Sequence, residues 1–479
     1  MTRLLENNRT LSPRIPRSAL RPASLAVGIS FALAVSPAIA QPPPPPPESV
    51  EVSAATQPAT GPAPLQDQPV GLATPDPAGP SLDQVALLLP ADLAAEGRRH
   101  LDLGRALIDN LDPEDFPRQD ADELAMVRAE WLLEAAGQRL YFADFDGARR
   151  DLADAVALFD RLDPELLDEN FVDPAFTRAI VEGLLSGAPD FGHLSLEDQA
   201  WAWLWVGEYW AAWGHPDAGW AATEHAVSLI PAMREQLEAD GFDSADEWAW
   251  FAPSLVFNAS ALDDIERGKA MVLELDPPPV FLAEAHACIA AHYAGVGDEP
   301  AARAALQDSL DALKQHAEQG GAGDQPPYGS PSSIFTERLL AFALLGDTDG
   351  VNGVFDELKP GGLGEQTFGD NLYYDVANLH GARAQAHGQR GETAKAQAAL
   401  GLALGAAMSD SDMSTYSTIE HGWAAQSVGW SAGAGGLHNH VERYGPTLPH
   451  DAARASFHLG VASGLANLGY PGFGPIDGE

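Results

Sequence analysis

The chain predicts an all-α fold in which antiparallel helix pairs stack into an irregular solenoid over residues 81–470. Three observations carry this. From Ser81 onward apolar residues recur at three and four, the period of an amphipathic helix, and no run alternates as a strand does. Gly-Asp and Asp-Pro pairs punctuate the segments, as expected where Gly ends a helix in a left-handed conformation and Pro cannot continue it. Alanine is abundant at the helix-facing positions, which lets helices approach closely.

Two segments precede the helices. Residues 1–40 read as an export signal, with Arg3, Arg9, Arg14, Arg17 and Arg21 followed by the apolar run from Leu25 to Val35 and then by small residues at Ala38 and Ala40. That run is too short to span a bilayer comfortably, and cleavage is expected after Ala40. No Arg-Arg pair and no cysteine stands there, so neither the twin-arginine route nor a lipid anchor is indicated. Residues 41–80 hold thirteen of the 38 prolines, including Pro42 to Pro47. Proline lacks a backbone N–H and favours the polyproline II conformation, so this stretch is expected to be a disordered, extended spacer. Residues 471–479 are expected to be a disordered tail.

Within 81–470 the clearest unit is Trp203-x2-Val206-Gly207-x2-Trp210-x3-Gly214-His215-Pro216, followed by Gly219, Thr223, Ala226 and Pro231. Weaker units follow Ile289 to Asp298, Phe335 to Asp347 and His380 to Glu392. The segment Asp144 to Ala148 reads as the start of a second helix after Trp131, and Ile265 to Pro277 as another second helix with its terminator. Leu459-Gly460 lies on a last helix. The punctuating turns fall near 143, 214, 297, 346 and 391, at spacings of 71, 83, 49 and 45. The Trp203 unit resembles the tetratricopeptide repeat, whose period is about 34 residues. Trp203, Gly207, Trp210, Gly214, Ala226 and Pro231 keep that family's pattern, whereas His215 replaces its turn acid and Thr223 its second-helix aromatic. The resemblance implies a right-handed solenoid that binds an extended peptide or another protein on its concave face.

At 100° per residue, Trp203 and Trp210 share one face, and Trp201, Trp205 and Glu208 share the opposite one. The second set lies where such repeats line their groove. Trp201, Trp205 and Glu208 are therefore groove candidates, expected to be partly exposed and able to grip a peptide or stack on a sugar. A helix buried on both sides is the plain alternative. The same geometry places Asn378, Gln385 and Gln389 on the groove side of a later helix, where amides can bond a peptide backbone.

Composition excludes several functions. Against 69 Asp and Glu stand 27 Lys and Arg, a formal charge of −42, and lysine occurs only at 269, 314, 359 and 395. Removal of five Arg and one Glu with the signal leaves 22 basic and 68 acidic residues, near −46. A nucleic-acid binder needs clustered cations, so nucleic acid is excluded, and the acidic excess fits a basic or polycationic partner or simply solubility in a salty medium. The single cysteine, Cys288, allows no internal disulfide, and packing must hold the fold. No cofactor is indicated: phosphate loops, dinucleotide fingerprints and nucleophile elbows are missing. His438-Asn-His440 follows the Gly-rich run 433–436, which reads as a loop, and Asp347-Thr-Asp349 and Asp410-Ser-Asp412 read as turn chemistry rather than calcium loops. The expected function is thus an exported, non-enzymatic binding or scaffold protein of a bacterial envelope, periplasmic or secreted, with no membrane span after cleavage. The alternative is a helical α/α-toroid enzyme that acts on carbohydrate with paired carboxylates.

Overall fold

One turn is used seven times among the described residues. In each case a residue with positive φ closes a helix: Ala143, Gly214, Asp263, Gly297, Gly346, Gly391 and Gly436. The next residue's N–H reaches back to the carbonyl five positions earlier, as in Asp144 to Arg139, His215 to Trp210, Asp298 to Tyr293 and Leu437 to Ala432, at 2.8–3.0 Å. This is the Schellman closure, and it satisfies carbonyls that the helix end leaves open. Four of those following residues are aspartates that start the second helix at once. Asp144, Asp264, Asp298 and Asp347 accept from the backbone N–H of Gly147, Arg267, Ala301 and Gly350. Each such cap contributes about 1 kcal/mol.

The computed structural model describes residues 79–111, 121–163, 174–239, 248–319, 331–368, 376–408 and 417–469. The expected signal, residues 41–78 of the proline-rich segment, Asp410-Ser-Asp412 and the expected tail lie outside the described residues. All described elements are helical. Helix α1 (Ala91–Asp109) precedes the pair α2 (Ala121–Tyr141) and α3 (Phe145–Phe159), after which α4 (Pro174–Ser186) stands alone. The next pairs are α5 (Leu196–Ala212) with α6 (Pro216–Ala239), α7 (Phe251–Ala261) with α8 (Ile265–Leu275), and α9 (Pro279–Gly295) with α10 (Glu299–Glu318). Then come α11 (Pro331–Leu344) with α12 (Thr348–Glu357), the short α13 (Leu363–Phe368), and α14 (Val376–Gln389) with α15 (Thr393–Ala407). The last pair is α16 (Ser417–Ala434) with α17 (Asp451–Asn467), joined through 3-10 turns at His438–Arg443 and Gly445–Thr447. The glycine run thus belongs partly to α16 and not wholly to a loop.

The first helices of successive pairs pack on one another in chain order, α2 to α5 with α4 wedged beside them, then α7, α9, α11, α14 and α16. The series does not stay open. Helix α17 packs along α1 and touches α2, and on α16 a methyl group at Gly422 would sit 3.2 Å from the Trp131 ring of α2. An open groove, which the repeat resemblance led one to expect, is replaced by a closed circuit. The first helices form its inner wall, and α5, α7 and α9 are buried almost all round. Second helices such as α3, α8 and α10 bury one stripe and leave the other in solvent, as outer helices do.

The last pair packs through glycine. A methyl group on Gly460 of α17 would lie 2.0 Å from the Gln426 carbonyl of α16, and one on Gly429 would lie 2.2 Å from the Phe457 carbonyl. Gly433 and Gly464 repeat the contact at 2.3 and 2.1 Å, so the two backbones meet directly. Across the α1–α17 seam the His100 and His458 rings share a 2.8 Å contact between their Nδ1 atoms. Burial pushes their imidazoles down to about 3 and about 4, so both are neutral at pH 7 and one donates to the other. Nearby, the guanidinium of Arg139 is buried among Asp151 at 2.5 Å, Asp144 at 2.5 Å and Asp102 at 2.8 Å, tying α1, α2 and α3 together.

Candidate functional site

The inner wall carries the unusual chemistry, and outward contacts define which side chains face it. Gly207 of α5 lies against Gly219 and Thr223 of α6, so the opposite stripe of α5, with Trp201, Trp205 and Glu208, faces inward. Arg139 of α2 turns to α3, and the opposite stripe carries Glu130, Glu134 and Gln138. On α9 the Ala283 carbonyl accepts from Ser309 of α10, so the stripe with Glu284 and Cys288 lies away from α10. On α11 the bidentate pair of Arg338 with Glu357 marks the outer side and leaves Ser333, Thr336 and Glu337 on the other.

Five carboxyls therefore share the inner wall, and burial raises all of them. Glu130 is pushed up to about 7 and Glu134 to about 8, the latter against the lowering effect of hydrogen bonds from Gln426 and Gln138. Gln138 Nε2 donates to Glu134 at 2.8 Å, and Gln426 of α16 donates to the same oxygen. Glu284 and Glu337 each rise to about 7, with Glu284 adding to the burial effect on Glu337. Glu208, fully buried beside Tyr141, rises well above the ordinary carboxylate range. Glu130 and Glu337 are half-buried, whereas Glu134, Glu208 and Glu284 are buried.

None of these five pairs with a Lys or Arg among the described residues, whereas the carboxylates of outer helices and turns do. Arg139 serves Asp102, Asp144 and Asp151, Arg105 serves Asp154, Arg267 serves Glu224, and Arg303 serves Asp347. Among the described residues these four arginines are committed to carboxylates of outer helices and turns. Inside, burial without a cation makes the ionised form costly and shifts each carboxyl toward its protonated form.

The sequence-derived candidates fall on this wall but not as expected. Trp205 is 7% exposed and Glu208 0%, so the partial exposure expected of them is not found; Trp201 alone is half-buried. The reason lies in neighbouring helices. Trp201 stacks on Phe251 of α7 with ring centres 4.1 Å apart, and Trp205 meets Phe176 of α4 edge-on at 5.0 Å. Asn378, Gln385 and Gln389 are likewise buried on α14, and Gln389 Nε2 donates to the Ala434 carbonyl of α16 at 3.1 Å. Glu130, Glu134, Glu284 and Glu337 were not singled out by sequence reasoning. Their signal is a lone Glu within an apolar helical run, as in Trp131-Leu-Leu-Glu134-Ala-Ala and Phe281-Leu-Ala-Glu284-Ala.

Among the described residues no group of three His, Cys, Asp or Glu could hold a metal ion, and no helix is long and apolar enough to cross a membrane. Asp347 caps α12, and His438 and His440 lie on a 3-10 turn. Comparison with known proteins finds no matching family model, curated protein or solved structure.

Proposed function

We propose that the chain is an exported, non-enzymatic binding protein built of tetratricopeptide-like helix pairs, and that it takes an extended basic peptide on the inner wall of its circuit. One observation carries this reading: five inner carboxyls with no cation beside them, in a chain whose cations serve the outside. A Lys or Arg side chain entering there supplies the missing charge and lets a neutral carboxyl ionise, while the acidic exterior draws the peptide in from a distance. The six helix hairpins closed by this turn support the repeat relationship. Turns at 263 and 297 stand 34 residues apart, the family's period.

Ring closure favours a second reading, a carbohydrate-acting toroid. Its two requirements are less well served. A sugar platform needs a free tryptophan face, and Trp201 and Trp205 give theirs to Phe251 and Phe176. Acid–base hydrolysis needs one carboxylate held ionised beside its protonated partner, and no cation holds Glu130, Glu134, Glu284 or Glu337 in that form.

The test is titration of the purified chain with a ten-residue Lys/Arg peptide at pH 7. Replacing Glu130, Glu134, Glu284 and Glu337 by Gln is expected to weaken binding at least tenfold. A variant of equal charge on the outside, D217N/E235Q/E274Q/E318Q, is expected to change it less than threefold. Equal losses in the two variants would reduce the interaction to bulk charge attraction and remove the inner-wall reading.

A further inference from the structure

The circuit closes where α1 lies along α17, and we propose that the His100–His458 contact across this seam is an acid-sensitive latch, whose protonation parts α17 from α1 and opens the circuit with its helices intact. The inference concerns closure itself and does not rest on the binding reading.

The contact holds only while the pair is neutral. The two Nδ1 atoms stand 2.8 Å apart, so one nitrogen donates and the other accepts. A proton added to the acceptor sets two N–H groups against each other and leaves a charge beside His100, which is fully buried. Surrounding groups do not offset this. On α1, Glu96 lies 3.3 Å from Nε2 of His100 but is already paired with Arg99 at 2.6 Å, and that guanidinium stands 3.4 Å from the same nitrogen. Arg99 also acts on His458 and reaches Glu442 of the 3-10 turn at 3.1 Å. His438 of that turn, which feels Asp92 and His440, opposes a charge on His100. On α17, Arg454 and Asp451 pair with each other at 2.7 Å, and on α2 Glu134 is held by Gln138 and by Gln426 of α16.

The ties on either side make the seam the place that yields. Helix α1 is bound to α2 and α3 by Arg105 with Asp151 and Asp154 at 3.0 and 2.7 Å, by Arg139 with Asp102, and by Arg98 with the Phe142 carbonyl at 2.8 Å. Helix α17 is bound to α16 through the glycine contacts. None of these ties contains an imidazole. Across the seam stand the histidine pair, Arg99 with Glu442, and Gly104 against Leu459 and the Ala455 carbonyl. Once parted, both rings return toward the ordinary value of 6.5 from about 3 and about 4, so the open form binds up to two more protons. It is therefore favoured as pH falls below 6.5, gaining roughly 500-fold on the closed form between pH 7 and pH 5.

The experiment follows amide hydrogen exchange of the intact chain at pH 7 and pH 5, with rates corrected for the intrinsic effect of pH. Peptides from α1 are expected to lose protection at least tenfold more than peptides from α5 and α9. The far-UV helical signal is expected to persist while the radius of gyration from solution scattering rises. H100N/H458N keeps an amide donor and acceptor near the two Nδ1 positions but does not titrate, and it is expected to lose most of the pH response. H421N disrupts the other histidine contact, His421 with His450 at 3.3 Å, which lies within the last helix pair, and it is expected to respond as the parent does. The comparison of α1 with α5 and α9 in the parent chain stands whether or not the double variant folds. Equal loss of protection in all three helices, no loss in α1, or a full response in folded H100N/H458N would overturn the latch.

Discussion

At pH 7 the Glu134 carboxyl keeps its proton, and this makes stability depend on pH in a stated direction. Burial raises it to about 8 in the folded chain, against an ordinary value of about 4.5, so between those limits the folded state binds more protons than the unfolded one. Stability is then full below about pH 4.5 and declines as pH rises through 8. From pH 6.5 to 8.5 this one group removes about 2 kcal/mol. E134Q, which keeps the shape and the acceptor oxygen, is expected to abolish that part of the decline when unfolding is followed by denaturant at the two pH values. An unchanged slope would show that Glu134 is ionised. His100 and His458 act on the other side: their depressed imidazoles withdraw stability as pH falls below 6.5. Side-chain direction was legible here from the helical period, which put Trp201, Trp205 and Glu208 on one stripe. Burial was not, because it depends on Phe176 and Phe251, distant in the chain. Nor did 69 acidic residues let sequence inspection pick out Glu134 or Glu284.

Among the elements, the α16–α17 pair is where sequence rules and packing part. Glycine lowers helix propensity by about 1 kcal/mol relative to alanine, so the run at 433–436 reads as a loop. In the fold Gly433 is kept helical because only a missing side chain lets α16 meet the α17 backbone. Gly460→Ala would place a methyl 2.0 Å from the Gln426 carbonyl, and the forced separation is expected to cost about 1–3 kcal/mol despite the gain in propensity. Gly401→Ala on exposed α15, where nothing lies within 4 Å, is expected to stabilise by about 0.5–1 kcal/mol. Equilibrium unfolding of the two variants checks the contrast, and a stabilising Gly460→Ala would mean that the helices are not in backbone contact. The turns themselves were legible, since Gly-Asp at 297 and 346, and the related pairs Ala143-Asp144, Gly214-His215 and Gly391-Glu392, marked them. The turn at Asp263 was seen only through the helix after it, Ile265 to Pro277, and its left-handed residue is an aspartate.

For the whole molecule, closure is what sequence inspection could not supply. Pairing of α1 with α17 joins His100 to His458, 358 positions apart, Arg99 reaches Glu442 of the 3-10 turn before α17 across 343 positions, and no local period announces it. The all-helical class and most helix pairs were legible because each is fixed within about forty residues by period and punctuation. Closure also gives the acidic excess a geometry. Outer acids share arginines, and the inner wall holds carboxyls that burial raises to about 7 at Glu130, Glu284 and Glu337 and to about 8 at Glu134. If an extended basic peptide binds there, the carboxyls must ionise and release protons. The decisive measurement is calorimetric titration with the basic peptide at pH 7 in two buffers of different ionisation enthalpy, repeated at pH 9. The heats at pH 7 should differ between buffers and report release of at least about one proton per peptide, and the difference should fade at pH 9, where the inner carboxyls are already ionised. Equal heats in the two buffers at pH 7 would contradict the account, because the peptide would then bind without changing the charge of the inner wall.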